Sequence, residues 1–343
     1  MRKQLYAGID LHSNNLVVAT VDKSGKRMGH RRLSCTLDVV LEYLSQDVAG
    51  KIKEIAVEST FNWYWLVDGL KDAGYHVKLA NPAGMVQYNG LKCADDKSDA
   101  YFIAELLRLG ILPCGTILEP PARAVRDLLR RRQLLVSKRT SLILALKNQY
   151  IRTHGQNLPT KRVKSSSPEE MAELFENCHE RLAAEITKDE IEHLGESIKR
   201  IEKACWQQAQ KVPGYQSLNT LPGIGLVLSG VISLETSDIS RFASPENYAS
   251  YCRTVAAKKE SNGKKKGENN AKCGNKYLAW AFIEASNLAR RHDENARRWF
   301  DRKAAKAGRI VATKALACKL SKAAWHLMRN GGSYDPVRLF GAA

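Results

Sequence analysis

Four acidic residues stand where a chain could use them for chemistry. Asp10 lies inside an apolar stretch, YAGIDLH, and Glu58 closes another, EIAVE. A carboxylate buried in such a strand without a partner is costly or gives up its charge, so an aspartate there faces solvent or a site. Asp96 and Asp99 are three apart at the mouth of a helical segment and can share one of its faces. Carboxylates from two strands and a helix start are the hard oxygen ligands that Mg²⁺ takes, with Mn²⁺ as a substitute. Two ions roughly 3.5–4 Å apart can assist both oxygens of a phosphodiester displacement. Each residue also has a plainer reading. Glu58 fits a surface strand end, Asp99 fits a helix cap, and Asp95 competes with Asp96 for the third place.

The elements that would position these residues are readable from periodicity. Leu5–Leu11 and Leu16–Asp22 are apolar runs joined at His12-Ser13-Asn14-Asn15, a natural hairpin. Glu54–Glu58 and His76–Ala80 are further short strands. Asn62–Ala73 has helical spacing and stops at Gly74, and Asp99–Leu109 stops at Gly110. Strands alternating with helices predict a mixed sheet covered by helices over residues 1–119.

From Pro120 the pattern changes. Pro121–Tyr150 carries an apolar stripe (Val125, Leu128, Leu129, Leu135, Leu142, Leu146), and Arg123–Arg139 within it is strongly basic, Arg130, Arg131 and Arg132 included. Thr153–Pro168 reads as a polar loop, and Glu169–Val212 as a charged helical hairpin or coiled coil, giving a central region of 120–212. The last region, 213–343, is mainly α. Leu221-Pro222-Gly223-Ile224-Gly225 precedes an apolar helix, as in a helix-hairpin-helix turn, where Gly223 and Gly225 would let backbone N–H groups approach a DNA phosphate. A purely structural turn is the alternative. A lysine-rich loop, Lys258–Lys276, follows, then helices over Tyr277–Arg291 and Ala312–Met328, with Arg290–Arg309 as a second basic helix.

The charge balance narrows the function. Lys and Arg number 54 against 36 Asp and Glu, a net of +18 in 343 residues, which favours a polyanionic partner. The eight cysteines include no CxxC pair, which argues against a zinc site and leaves them as small buried hydrophobes. No run approaches the roughly eighteen apolar residues of a membrane helix, and MRKQLYAGID has no apolar signal core, so no membrane partner is expected.

The ordered motifs GIDLH, VESTFNWYW and ADDKSDAYFIAELL resemble the N-terminal domain of the DEDD insertion-sequence transposases, the bridge-RNA-guided recombinases related to the pilin-gene invertases. Glu58–Trp63 echoes that family's EATGxYW segment, with Phe61-Asn62 where Gly is usual. Its KTDxxDA segment aligns its aspartates with Asp96 and Asp99 rather than Asp95. LPGIG, DISRF (Asp238–Phe242) and a Ser-x-Gly before a lysine-rich stretch resemble the family's C-terminal transposase domain.

The resemblance implies an RNase H-like (RuvC-like) first domain whose Asp10, Glu58, Asp96 and Asp99 hold Mg²⁺. It also implies a nucleophilic serine in the last domain that forms a phosphoserine link to DNA. Only Ser261-Asn262-Gly263 fits that serine, with Lys258, Lys259, Lys264, Lys265 and Lys266 around it to hold the scissile phosphate. DNA, a guide (bridge) RNA and a homo-oligomer, dimer to tetramer, are the implied partners, in the cytoplasm of a prokaryote at its nucleoid. Three rivals remain. A junction nuclease would use water and form no adduct. An actin-like sugar kinase would need Gly-rich phosphate loops, which are not found. A non-catalytic binding protein would tolerate loss of Asp10 and Ser261.

Overall fold

The structure, a computed structural model, describes residues 4–47, 51–85, 95–212, 214–255, 258–261, 264–268 and 273–341, with the backbone alone at 47, 258–261 and 265–268. The chain folds as two compact units, Met1–Ile117 and Leu118–Ala343.

The first unit is a mixed α/β sheet. In chain order it contains β1 (Gln4–Leu11), β2 (Asn15–Asp22), β3 (Arg27–Ser34), α1 (Leu37–Glu42), β4 (Lys51–Glu58), α2 (Tyr64–Asp72), β5 (Val77–Ala80), α3 (Pro82–Met85), α4 (Asp96–Arg108) and β6 (Cys114–Gly115). The strand order is β3-β2-β1-β4-β5-β6. β1 runs antiparallel to β2 and parallel to β4, so the ends of β1 and β4 lie side by side. β1 is buried along nearly its whole length because both faces of the sheet are covered. Ala7, Ile9 and Leu11 join Val40, Leu66, Val67 and Leu70 on the face of α1 and α2. On the other face Tyr6, Val17, Val21 and Ala56 meet Ala100, Ile103, Ala104 and Leu107 of α4. By strand alternation Gly8 and Asp10 belong to this α4 face.

Gly8 sets how closely α4 approaches. A Cβ there would overlap the Ala100 carbonyl oxygen and lie 2.5 Å from the Ala104 nitrogen. Only glycine lets the helix backbone rest on the strand. One turn earlier on that helix stand Asp96 and Asp99.

The second unit is mostly helical: α5 (Pro120–His154), α6 (Thr160–Ser165), α7 (Pro168–Ala172), α8 (Cys178–Ala209), α9 (Tyr215–Asn219), α10 (Leu226–Thr236), α11 (Pro245–Tyr251), the strands β7 (Lys258–Ser261) and β8 (Lys264–Glu268), then α12 (Lys276–His292), α13 (Glu294–Ala307), α14 (Arg309–Asn330) and α15 (Pro336–Phe340). α5 and α8 pack side by side in opposite directions. Leu129 and Cys205 enter one core with α10, α12 and α14, while Ile143, Leu146, Ala184 and Ile191 form a second cluster with Val163, Met171 and Phe175.

Several expectations need correction. The stretch 153–168 is not all loop: α5 runs on to His154, and α6 forms where Val163 anchors a polar segment in the second cluster. The charged stretch 169–212, expected as a helical hairpin or coiled coil, holds two helices: α7 is started by a capping box at Ser167 and Glu170, and α8 starts at the Asn177 cap. The basic stretch 290–309 is divided between α12, α13 and α14, because Asp293 caps α13 and Gly308, at φ 81°, separates α13 from α14. The lysine-rich loop contains a two-stranded antiparallel ribbon, β7 with β8. Its register opposes Lys258 with Glu268 and Glu260 with Lys265, an alternation of opposite charge that favours pairing. Among the seven described cysteines only Cys205 and Cys252 are buried; Cys93 lies outside the described residues.

Candidate active site

The first unit brings four of its acidic residues near one another, around Asp10. Asp10 and Glu58 stand at the ends of adjacent parallel strands, on the face that α4 covers. Asp10 is only 4% exposed. Burial pushes its carboxyl up, a hydrogen bond with Glu58 and the charge of His12 pull it down, and the charges of Asp99 and Asp96 push it up again. All four sequence candidates therefore lie within electrostatic reach of one another.

Asp95 is a structural cap. Its Oδ1 accepts from Ser98 N at 2.7 Å and its Oδ2 from Ser98 Oγ at 3.0 Å, which holds the carboxyl below its ordinary range. Both Asp95 oxygens are so engaged, and α4 begins at Asp96 rather than at Asp99. Asp96 is held from outside the pocket by Arg32, whose Nη2 donates to Oδ2 at 2.6 Å and lowers the carboxyl pKa. The same guanidinium donates to Asn15 Oδ1 at 2.9 Å. Inside the pocket, His12 Nε2 lies 3.1 Å from Asp10 Oδ2 and 3.4 Å from Asp96 Oδ1. One nitrogen and two carboxylate oxygens thus converge within 4.8 Å, close enough for a metal ion to span.

In the second unit Ser261 closes β7, opposite Lys264 of β8. Asn262 and Gly263 lie outside the described residues, as do the side chains of Ser261, Lys258, Lys259, Lys265 and Lys266; Lys264 is exposed. The described residues on either side of the ribbon are tied to each other. Arg253 donates from Nε to Cys273 O at 2.9 Å and from Nη2 to Gly274 O at 2.8 Å, and Asn275 N donates to Tyr251 O at 2.7 Å. Asn275 also caps α12 and donates from Nδ2 to Glu235 Oε2 at 2.7 Å. Glu235, 6% exposed, takes both arms of the Arg130 fork at 2.6 and 2.7 Å. A chain of polar contacts therefore runs from α5 to the described residues that flank the ribbon in sequence.

Residues 7–154 match a transposase family model of the DEDD, IS110 type, and residues 215–301 match the model described as "Transposase IS116/IS110/IS902 family". The chain belongs to the IS110 family of transposases. It is also similar to y4qE, a protein of Sinorhizobium fredii provisionally named a transposase: 22% identity over 294 residues, covering 83% of this chain and 71% of that one. As a transposase it binds DNA and transfers DNA strands. Among its described residues no helix is long and apolar enough to cross a membrane.

Other expected DNA-binding residues of the transposase are placed less uniformly. Arg130 is committed to Glu235, and Arg132 donates from Nε to Glu202 at 2.7 Å, which joins α5 to α8; Arg131 is exposed. Gly223, at φ 78°, has its missing side chain explained by packing, since a Cβ would overlap Ala285 O and sit 2.6 Å from Ala289 N of α12. Gly225 precedes α10 with open space around it.

Sequence reasoning missed three contributors. His12 was legible as the second residue after Asp10, on the same strand face. Arg31 and Arg32 lie on β3, which the basic sequence RMGHRRLS hides, and they line a recess of about 370 Å³ with Val17, His30 and Lys97. The ribbon was signalled by Asn262-Gly263, the dipeptide that favours two-residue hairpin turns.

Proposed function

We propose that this transposase is a serine recombinase built on an RNase H-like first domain, with Asp10, Glu58, Asp96 and Asp99 holding Mg²⁺ and Ser261 attacking DNA. The observation that carries the reading is the convergence of those carboxylates on the α4 face of the sheet, around a buried Asp10. The strand order, three antiparallel strands followed by parallel β4 and β5, is that expected of such a domain. Four carboxylates crowded together repel, and a divalent cation relieves that repulsion, so the donor set fits the ion. When bound, divalent ions there would supply charge that activates a nucleophile and stabilises a departing oxygen.

The chain's own part follows from its residues. The Ser261 hydroxyl forms a bond to the scissile phosphorus as the bond to one deoxyribose oxygen breaks, and that oxygen leaves with a proton. The link conserves the phosphodiester, so a second DNA end can reverse the step without ATP. Lys258, Lys259, Lys264, Lys265 and Lys266 surround Ser261 in sequence and supply the phosphate contacts, with Arg131, Gly223 and Gly225 as further DNA contacts. Sequence choice is delegated to a bridge RNA, which leaves a +18 protein to read backbone and shape.

We read the chain functionally as three regions, 1–119, 120–212 and 213–343, with the α5–α8 coiled coil joining copies into a dimer or tetramer. Leu144, Ile151, Leu182 and Ile186 are exposed on those two helices and support that role. Light scattering of a variant with all four changed to Ser would show a monomer if it holds.

The decisive experiment mixes the transposase with Mg²⁺, its flanking non-coding RNA and matched DNA, then looks for a protein–DNA adduct on denaturing gels. An adduct lost in both Ser261→Ala and Asp10→Asn is expected. Cleaved DNA with no adduct would replace the serine mechanism by water attack.

A further inference from the structure

The carboxylate pocket contains a residue that a purely acidic site does not call for. His12 follows Asp10 by two positions, and its Nε2 faces two carboxylate oxygens at 3.1 and 3.4 Å. Those distances alone would suit an ion pair, and His12 does help to lower the Asp96 carboxyl. The alignment is poor for one, since Nε2 is shut off from solvent and meets neither oxygen along a good hydrogen-bond line. An imidazolium N–H would point along a line to one oxygen. Here the nitrogen sits between two. Donors held about 2.1 Å from one ion at right angles lie about 3.0 Å apart, close to the separations found.

The surroundings fix the backbone of His12, and with it the start of the side chain. Its backbone N–H donates to Asn15 O at 2.9 Å, and its carbonyl accepts from Asn62 Nδ2 at 2.9 Å and from Cys35 Sγ at 3.7 Å. Asp96 is braced by Arg32 through the oxygen that faces away, leaving Oδ1 for the pocket. Outer contacts of this kind orient the donors of a metal site. None of them involves Nε2.

We propose that His12 is a nitrogen ligand to an ion shared with Asp10 and Asp96, and that this mixed donor set makes the pocket bind Mn²⁺ more tightly than Mg²⁺. The inference rests on the reading that this pocket takes divalent cations. Mg²⁺ prefers oxygen donors and keeps its waters, whereas imidazole favours the transition metals, with affinity rising from Mn²⁺ through the first-row series. Glu58 and Asp99 complete the oxygen donors nearby.

The test uses the full-length transposase and Mn²⁺ alone, with no DNA. Pulsed electron paramagnetic resonance on bound Mn²⁺ reads nitrogen coupling directly. A ¹⁴N coupling is expected, replaced by a ¹⁵N coupling when the chain carries ¹⁵N-histidine. In His12→Ala it should vanish, with Mn²⁺ affinity down at least about tenfold and Mg²⁺ affinity changed far less. Should that variant fail to fold, His12→Gln keeps the bulk, and the labelled wild-type spectrum is decisive by itself. Mn²⁺ bound in this pocket without nitrogen coupling overturns the role of His12 and leaves the carboxylate site standing. Failure of wild type to bind Mn²⁺ at all overturns both.

Discussion

The two units place the groups proposed to react by different physical means. In the first, Asp10, Glu58, Asp96 and Asp99 stand on a sheet and a helix pressed together through Gly8, so backbone packing sets their spacing. In the second, Ser261 ends a two-stranded ribbon whose base is tied by Arg253, Asn275 and the buried pair of Glu235 with Arg130. Both units use a glycine as a pin, each against alanines four apart on a helix: Ala100 and Ala104 for Gly8, Ala285 and Ala289 for Gly223. Beyond the pins they diverge. A site for several ligands needs donors fixed to fractions of an ångström, which packed elements provide.

Breaking the pins should have the largest effect. Gly8→Ala is expected to cost more than about 4 kcal/mol or to prevent folding of the first unit, because the added carbon meets backbone that cannot swing aside. Gly223→Ala should do the same to the second unit. Urea unfolding of each would show it, and a wild-type midpoint in either would remove that pin from the comparison. Next comes the root of the ribbon. Glu235→Ala leaves Arg130 partly buried without its partner, and an unfolding free energy lower by about 3–5 kcal/mol is expected in denaturant titration.

The contrast sharpens with charge removed from the reactive groups themselves. Asp10 has its carboxyl pKa raised by burial, so its charged form opposes folding. Its favourable contribution is complete below its ordinary pKa and is lost as pH rises through the raised value. At neutral pH in a chelator, Asp10→Asn should therefore raise the melting temperature, by about 2–4 °C, while abolishing strand transfer. Ser261→Ala should also abolish strand transfer but leave the melting temperature unchanged. Calorimetry of the two variants side by side checks this, and a lower melting temperature for Asp10→Asn would contradict the electrostatic account. The smallest effect is expected at Arg131. Arg131→Ala should keep wild-type stability and reduce the salt slope of DNA binding by about one, measured by fluorescence anisotropy.

The legible parts of the fold were those with a period to read. β1, β2, β4, β5, α2 and α4 carry apolar alternation or helical spacing, and their placement followed. β3 and the ribbon do not. Both are basic strands paired to a neighbour, and lysine or arginine density masks that. The nearness of Asp10 to Glu58 was visible from their apolar strands, whereas composition could not tell that Asp95 is a cap. That took the Ser98 amide, which engages it. Arg130 and Arg132 illustrate the reverse case. Three adjacent arginines look alike in sequence, yet helix rotation turns two toward carboxylates and leaves one outward.

Helix α5 is continuous from Pro120 to His154, with Leu129 in one core, Arg130 paired with Glu235 beside it, and Ile143 and Leu146 in a second core. An insertion or deletion between them cannot be absorbed by a bend alone. Each residue added turns the far cluster by about 100° and advances it about 1.5 Å relative to the root of the ribbon. Lengthening of this arm among relatives should therefore come in steps of three, four or seven residues, matched in α8, so the arm evolves like a geared rod rather than an elastic one.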